Sequence, residues 1–303
     1  VQGVLRADLR YFRELRLAGR KSIDEVKGLE EACIEEVGHR LGITLCPGDL
    51  SGSPWMNLDD PTMKIAILGD IHSNLEALTA VLADTRAQGV TDYLCVGDIV
   101  GYNANPRECL EIVREELKAI SVKGNHDEYI ASDMALTGFN PIAARAVEWQ
   151  RNQLTPGERK FLGDLAFKKQ VKGVTLVHAT LDSPSGWTYV TDKWAAEASF
   201  SYQLSSVCFY GHTHIPLAFT RAGRVKVSLY SALKLKLGTK YFINVGSVGQ
   251  PRDGDPRAAW ALYDTDESVV ELRRVEYNIA LAQEKIISAG LPERLAARLE
   301  IGR

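Results

Sequence analysis

From Lys64 onward the chain alternates short apolar runs with longer stretches of helical spacing, and this alternation narrows the choice of fold more than any other feature. Apolar runs at 64–68, 93–96 and 120–122 are separated by helix-patterned segments at 75–88 and 106–117, the second with Pro106 in its first turn. A β-α-β-α-β series of this kind predicts a parallel sheet with right-handed crossovers. Two or three further helices are expected over about 140–162. Beyond them the chain turns strand-rich, with apolar runs at 174–177, 207–210, 217–220, 225–229, 241–245, 258–263 and 269–275. The pattern from Asn278 is helical and is broken at Gly290-Leu291-Pro292. The fold class is α/β.

The first 62 residues read differently. They carry 8 basic and 11 acidic residues, whereas residues 63–303 carry 28 of each. Helical patterns at 4–17 and 22–41, the latter opened by a Ser22/Glu25 capping box, run into a breaker-rich tract at 46–54 and then Asp59-Asp60-Pro61. The expectation is a helical extension and linker over 1–62, ordered or not, ahead of a main domain over 63–303. His39 falls in the amphipathic second helix and needs no functional explanation.

Composition excludes several classes. With 303 residues, 45% hydrophobic and 25% charged, the chain can bury a sizeable core without disulfides. A net charge of −3 argues against a nucleic-acid partner. Five cysteines with no C-x-x-C pair point to a reducing, cytoplasmic setting rather than a disulfide scaffold or a structural zinc site. No apolar run approaches the ~20 residues of a membrane span, and the N-terminal region has no secretory pattern. Oligomeric state is not legible.

What lies just past the strands carries the chemistry. Gly69-Asp70-Ile71-His72 ends the first, Gly97-Asp98 the second and Gly124-Asn125-His126-Asp127 the third; His178 ends the 174–177 run, and Gly211-His212-Thr213-His214 ends the 207–210 run. In open α/β sheets the carboxyl ends of strands face the ligand crevice, so all five segments can converge on one point. Each alone is a weak signal, since Asp, Asn and His are common caps and turn residues.

Together they suit a two-metal site. Asp70, His72, Asp98 and His214 would hold one ion, and Asp98, Asn125, His178 and His212 the second, with the Asp98 carboxylate bridging. This oxygen and imidazole set fits two divalent ions, Mn first, with Fe, Ni, Co or Zn as alternatives. Ions ~3.5–4 Å apart can share a hydroxide for in-line attack on phosphorus and clamp both attacking and leaving oxygens. His126 is left over for the leaving group, a role worth ~10²–10⁴ in rate.

These blocks, in this order, resemble the calcineurin-like metallophosphoesterase superfamily, and the small prokaryotic phosphoesterases more than the protein phosphatases. The resemblance runs from Met63 to the end of the chain and includes the stretch from Phe242 to Gly254. It implies a four-layer α/β/β/α sandwich of two mixed sheets with the metals at the strand ends. It also implies the same ligands and His126 as the catalytic residue. One departure stands out: protein phosphatases carry a further Asp and an Arg after the second block, where this chain has Gly101 and Tyr102, so no Asp is available there to orient His126. A second is His178-Ala179-Thr180, where many relatives have His-Gly.

Other residues carry weaker expectations. Asn74 caps the first helix or contacts phosphate, and Arg252 contacts phosphate if its loop reaches the site. Asp127 caps its segment or tunes His126. Trp187, Tyr189 and Trp194, in what reads as a loop over 182–202, pack on the sheet or cover the site. The basic, acid-free stretch 221–240 reads as a solvated strand face ahead of a polyanion contact. The reading is a phosphodiesterase or phosphomonoesterase acting on a small phosphoester or nucleotide, without a membrane. The alternative is a non-catalytic metal- or nucleotide-binding scaffold on the same fold.

Overall fold

The computed structural model describes residues 63–136 and 140–303. The helices expected at 4–17 and 22–41, the linker and His39 lie outside the described residues. The main body comprises Lys64–Leu233, Gly238–Tyr263 and Val270–Arg303. A small second unit includes Met63, Lys234–Leu237 and Asp264–Val269. Within it Leu235 N–H donates to Ser268 O, and Thr265 donates to Met63 O through both its amide and its hydroxyl.

The first sheet opens with β1 (Lys64–Leu68), β2 (Asp92–Cys95) and β3 (Ile120–Ser121), which pair in parallel as the alternation predicts. It is completed by β9 (Ala232–Lys234), β11 (Ala258–Asp264) and β12 (Val269–Val275) in the order β3-β2-β1-β11-β12-β9. The second sheet holds β4 (Lys168–Val171), β5 (Val174–Val177), β6 (Val207–Tyr210), β7 (Ala218–Ala222), β8 (Arg224–Ser228) and β10 (Lys240–Asn244) in the order β4-β5-β6-β10-β7-β8. It mixes the parallel pairs β5/β6 and β6/β10 with antiparallel pairs at both margins.

Strand composition explains the layering. Ile65 to Leu68 are fully buried on both faces, as parallel strands between layers require. Ala66 and Leu68 point to α1 (Leu75–Ala87), whose Ala77, Leu78, Val81 and Leu82 form one apolar stripe. In the second sheet Cys208, Tyr210 and Phe242 meet Ala196 and Phe200 of α6 (Lys193–Tyr202). Between the sheets, Phe209 of β6 lies 5.9 Å from Tyr263 of β11, ring to ring. The result is the four-layer α/β/β/α sandwich.

Helical segments differ from expectation in three places. The 106–117 helix divides into α2 (Pro106–Glu111) and a π-helical turn Ile112–Glu116, in which Leu117 N–H reaches Ile112 O at 2.9 Å. That wider turn keeps Val113 buried while Ile112 and Leu117 both pack on the core. A helix α3 (Asn125–Ala131) begins directly at the third histidine block. The stretch read as a loop at 182–202 contains α6, capped by Asp192, which accepts from Trp194 N and Ala195 N. Two helices fill 140–162 as expected, α4 (Pro141–Gln153) and α5 (Pro156–Asp164). The last two, α7 (Ile279–Ser288) and α8 (Glu293–Ile301), are divided at the predicted Gly-Leu-Pro break.

Candidate metal centre

Five strand ends converge. Asp70 and His72 follow β1, Asp98 follows β2, Asn125 and His126 open α3, His178 follows β5, and His212 and His214 follow β6. Seven of the eleven non-glycine residues with positive φ among the described residues lie in these loops: Asp70, His72, Ser73, Asp98, Tyr102, His212 and His214. Each such backbone costs of order 1–3 kcal/mol and persists only where neighbouring bonds over-determine it.

Carboxylates supply those bonds. Asp127 accepts from the amides of Asp98 (2.8 Å), Ile99 (3.0 Å), Val100 (3.3 Å) and Gly124 (2.9 Å), stitching the second and third loops together. Asp98 Oδ1 accepts from His126 N at 2.8 Å, and the Asp70 carboxylate accepts from His212 N at 3.1 Å. The approach is so close that a Cβ on Gly124 would lie 2.1 Å from Asp98 Oδ1, and one on Gly211 2.2 Å from Asp70 Oδ2. Glycine at these two positions is therefore a steric requirement.

The remaining polar atoms face one another. Asp98 Oδ2 lies 3.5 Å from His72 Nε2 and 3.3 Å from His178 Nε2, between the two imidazoles. His214 Nε2 is 3.1 Å from Asp70 Oδ1, and His178 Nε2 is 3.2 Å from Asn125 Oδ1. Among the described residues, Asp70, His72 and His214 form one compact donor group, Asp98, His178 and His212 a second, and His72, Asp98 and His126 a third, all buried. The structure thus brings together all seven residues that the sequence reading singled out as ligands.

Backbone carbonyls orient the rings. His72 Nδ1 meets Val100 O at 3.1 Å, His178 Nδ1 meets Val96 O at 2.8 Å and His214 Nδ1 meets Gln250 O at 2.6 Å. His212 is turned the other way, with Nε2 2.8 Å from Trp187 O. A carbonyl can only accept, so each of these nitrogens carries a proton, and on His72, His212 and His214 the other nitrogen presents its lone pair. His72 Nε2 and His214 Nε2 then sit 3.1 Å apart as two lone pairs. Burial holds both rings well below the usual imidazole range, so the neutral form is the one present. Two facing lone pairs repel unless a cation lies between them, and the donor set fits a divalent ion.

The charges are correspondingly polarised. Burial opposes ionisation of Asp98, but His178 and His126 outweigh it and hold the carboxyl well below its usual range. Burial likewise opposes the charge on His178, and the Asp98 carboxylate overrides it, raising the imidazole to about 9. Burial raises Asp127 to about 7, with the Asp98 charge adding to the effect.

His126 stands beside this cluster. Its ring packs 4.9 Å from that of His72 and 4.3 Å from that of Tyr102, and its Nδ1 is buried with no hydrogen-bond partner. The missing Asp is thus a real absence, with Tyr102 packed against the ring instead. Among the weaker expectations, Asn74 takes the capping role: its Oδ1 accepts from Ala77 N at the start of α1, and its Nδ2 donates to Gly249 O at 2.9 Å. Arg252 does reach the rim: its amide donates to His214 O, and its guanidinium lies 5.6 Å from the centre of the Tyr102 ring. Tyr189 stacks on His212 at 4.3 Å, whereas Trp194 is 74% exposed and makes its ring contact with Lys193.

Sequence reasoning missed Gln150, which accepts from Gly101 N at 2.6 Å and from Ser73 Oγ at 3.1 Å and donates to Asn103 O at 2.7 Å. It also missed the reach of Asp127, whose acceptor role spans loops 27–29 residues apart. Neither residue carries a local pattern that could have found it.

Comparison with known proteins identifies the family. A metallophosphoesterase structure from Sphaerobacter thermophilus superposes with a TM-score of 0.72 at 40% identity, covering 80% of this chain and 100% of that one. A Methanocaldococcus jannaschii protein, MJ0912, is 40% identical over 243 residues, 79% of this chain and 98% of its own length. The phosphodiesterase YfcE of Escherichia coli strain K12 is 28% identical over 215 residues, 67% of this chain and 89% of its own. The family model described as calcineurin-like phosphoesterase superfamily domain matches residues 63–268. The chain belongs to the calcineurin-like phosphoesterase superfamily.

Proposed function

We propose that this metal-dependent phosphoester hydrolase holds two divalent cations and cleaves a small phosphodiester or phosphomonoester, a nucleotide included. The facing ring nitrogens of His72 and His214, 3.1 Å apart beside the Asp70 and Asp98 carboxylates, carry the reading, because a divalent cation fits such a buried donor set. Asp70, His72, Asp98 and His214 would hold one ion, and Asp98, Asn125, His178 and His212 the other, with the Asp98 carboxylate common to both sets. Bound there, the cations supply Lewis acidity and a water activated near neutral pH for in-line attack at phosphorus. Asp127 keeps the Asp98 loop in place, and the carbonyls of residues 96, 100, 187 and 250 hold each imidazole towards the cluster. His126 assists the leaving oxygen from the side of Tyr102.

A phosphodiester is the first substrate class to try, because the relative YfcE is named a phosphodiesterase. Manganese is the first metal, with Fe, Ni, Co and Zn as alternatives. The catalytic domain is residues 63–303, with 1–62 as an appendage. No helix among the described residues is long and apolar enough to cross a membrane. The buried free thiols of Cys95, Cys109 and Cys208 suit the cytoplasm. The complete ligand set together with His126 favours an enzyme over a binding scaffold. The test is hydrolysis of bis-p-nitrophenyl phosphate beside p-nitrophenyl phosphate by protein stripped of metal and reloaded with Mn²⁺, with Asp98→Ala as the blank. Metal-dependent turnover absent from the blank is expected. No turnover with any of the five metals, in protein that binds two ions, overturns the reading.

A further inference from the structure

Beside the ligand cluster lies a cavity of 520 Å³ whose far wall the reaction described above does not use. Tyr102 and Tyr189 line the side next to the cluster, the first 4.6 Å from the His72 ring and the second stacked on His212. Arg252, Arg294, Arg298 and Arg303 also line the cavity, and no described lining residue is acidic. None of the four arginines forms an ion pair with an Asp or Glu among the described residues; Arg298 Nε donates to the main-chain oxygen of Arg303, and Arg252 Nη2 donates to Gln250 Oε1 at 2.9 Å. Arg252 Nε is in addition buried without a hydrogen-bond partner.

The arginines are held in place by packing. Leu295, Ala296 and Leu299 of α8 are buried against Ala282 and Ile286 of α7 and Ala146 of α4. That seating turns Arg294 and Arg298, one turn apart on α8, into the cavity with Arg252. Burial, and then the neighbouring Arg252 charge, lower Arg298 to about 10. Gathering guanidinium groups around a concavity is unfavourable until an anion enters, and guanidinium groups match phosphate oxygens in paired, charge-assisted hydrogen bonds. Arg294, Arg298 and Arg303 also lie beyond the matched family segment, residues 63–268.

We propose that this arginine wall is a second anion subsite, and that the substrate carries a phosphoryl group in addition to the one cleaved at the cluster. The proposal rests on the phosphoesterase reading and narrows its substrate to compounds with at least two phosphoryl groups, one seated by arginine and one at the metals. Tyr102 and Tyr189 then flank the portion that joins them.

The test uses metal-free protein in the presence of chelator, so that binding reports the wall alone. Calorimetric titration with inorganic tripolyphosphate is compared with orthophosphate, for the unaltered chain, Arg298→Gln and Arg294→Gln/Arg298→Gln. Tripolyphosphate is expected to bind at least tenfold more tightly than orthophosphate, and to weaken about tenfold in the double variant and less in the single one. Arg224→Gln, on the exposed β8 strand, controls for general loss of positive charge. Equal tripolyphosphate affinity in the unaltered chain and both cavity variants overturns the proposal, as does an equal loss in Arg224→Gln. Bis-p-nitrophenyl phosphate hydrolysis by the Mn-loaded preparation separates the two claims. Turnover without tripolyphosphate binding sinks the subsite and spares the phosphoesterase reading, whereas arginine-dependent binding without turnover does the reverse.

Discussion

The floor and the far wall of the site are built in opposite ways. The floor comes from five strand ends, is buried, and has nearly every backbone and side-chain atom committed to another part of the floor. The wall comes from one loop residue, the final helix and Arg303 just past it, and presents partly exposed arginines that pair with no Asp or Glu among the described residues. Buried groups at fixed geometry do chemistry, because the low dielectric magnifies each charge and no reorganisation is needed when the reaction occurs. Solvated cations at a rim select and attract, because their field reaches outward and is screened by salt. The floor thus sets the reaction, and the wall sets which molecule undergoes it.

Perturbing the floor tests the first half of that division. The largest effect is expected from Asp98→Ala, which removes the carboxylate between His72 and His178 and should take metal-dependent turnover down to the blank; retained activity would end its bridging role. His126→Ala should lower turnover by ~10²–10⁴ while elemental analysis still finds two ions per chain. Loss of metal in that variant would move His126 from the leaving group into the ligand set. Asp127→Asn should weaken metal affinity by about 10–100-fold, the usual penalty for removing an outer partner of the ligands. Unchanged affinity would mean that the loops hold without its charge.

Two milder perturbations sharpen the contrast. Metal must displace the proton that Asp98 holds on His178, whose pKa is raised to about 9 in the metal-free protein. Proton and metal compete, so affinity should rise with pH, by up to about tenfold per unit between 7 and 9, and level off above. Proton release measured in buffers of different ionisation enthalpy checks this, and a flat profile contradicts it. The smallest effect is one of salt: raising ionic strength from about 0.05 to 0.5 M should weaken tripolyphosphate binding several-fold and leave the metal content of the buried floor unchanged. Equal sensitivity of both would erase the distinction.

The same division governs what could be read from sequence. Asp70, His72, Asp98, Asn125, His178, His212 and His214 were legible because each sits immediately past an apolar run, beside a glycine in most blocks, so short-range pattern and fold agree. The parallel β1-β2-β3 core was legible from its strand-helix alternation. Asp127 was visible as a cap or a neighbour that tunes His126, but not as a tie between loops, since the amides it binds at 98–100 lie a full crossover upstream. Gln150 looks like any polar residue on a helix, although it ties three loop positions together. The wall was invisible as a unit. Arg252, Arg294, Arg298 and Arg303 are separated by up to half a hundred residues and meet only because α8 packs onto α7 and α4. The wide turn at Ile112–Glu116 and helix α6 were missed for a related reason: tertiary packing overrode weak local signals.

The Asp127 carboxylate has a further consequence for how the protein ages in a cell. Four amides converge on it, so the chain's own hydrogen bonds tie these loops together. Domains that fold around their zinc are unfolded by a chelator and must be rebuilt with each loss of metal. Here the empty protein should keep its shape, and an ion that leaves can be replaced by whichever cation is abundant. The enzyme's speed would then follow the local metal supply from hour to hour, with no new synthesis.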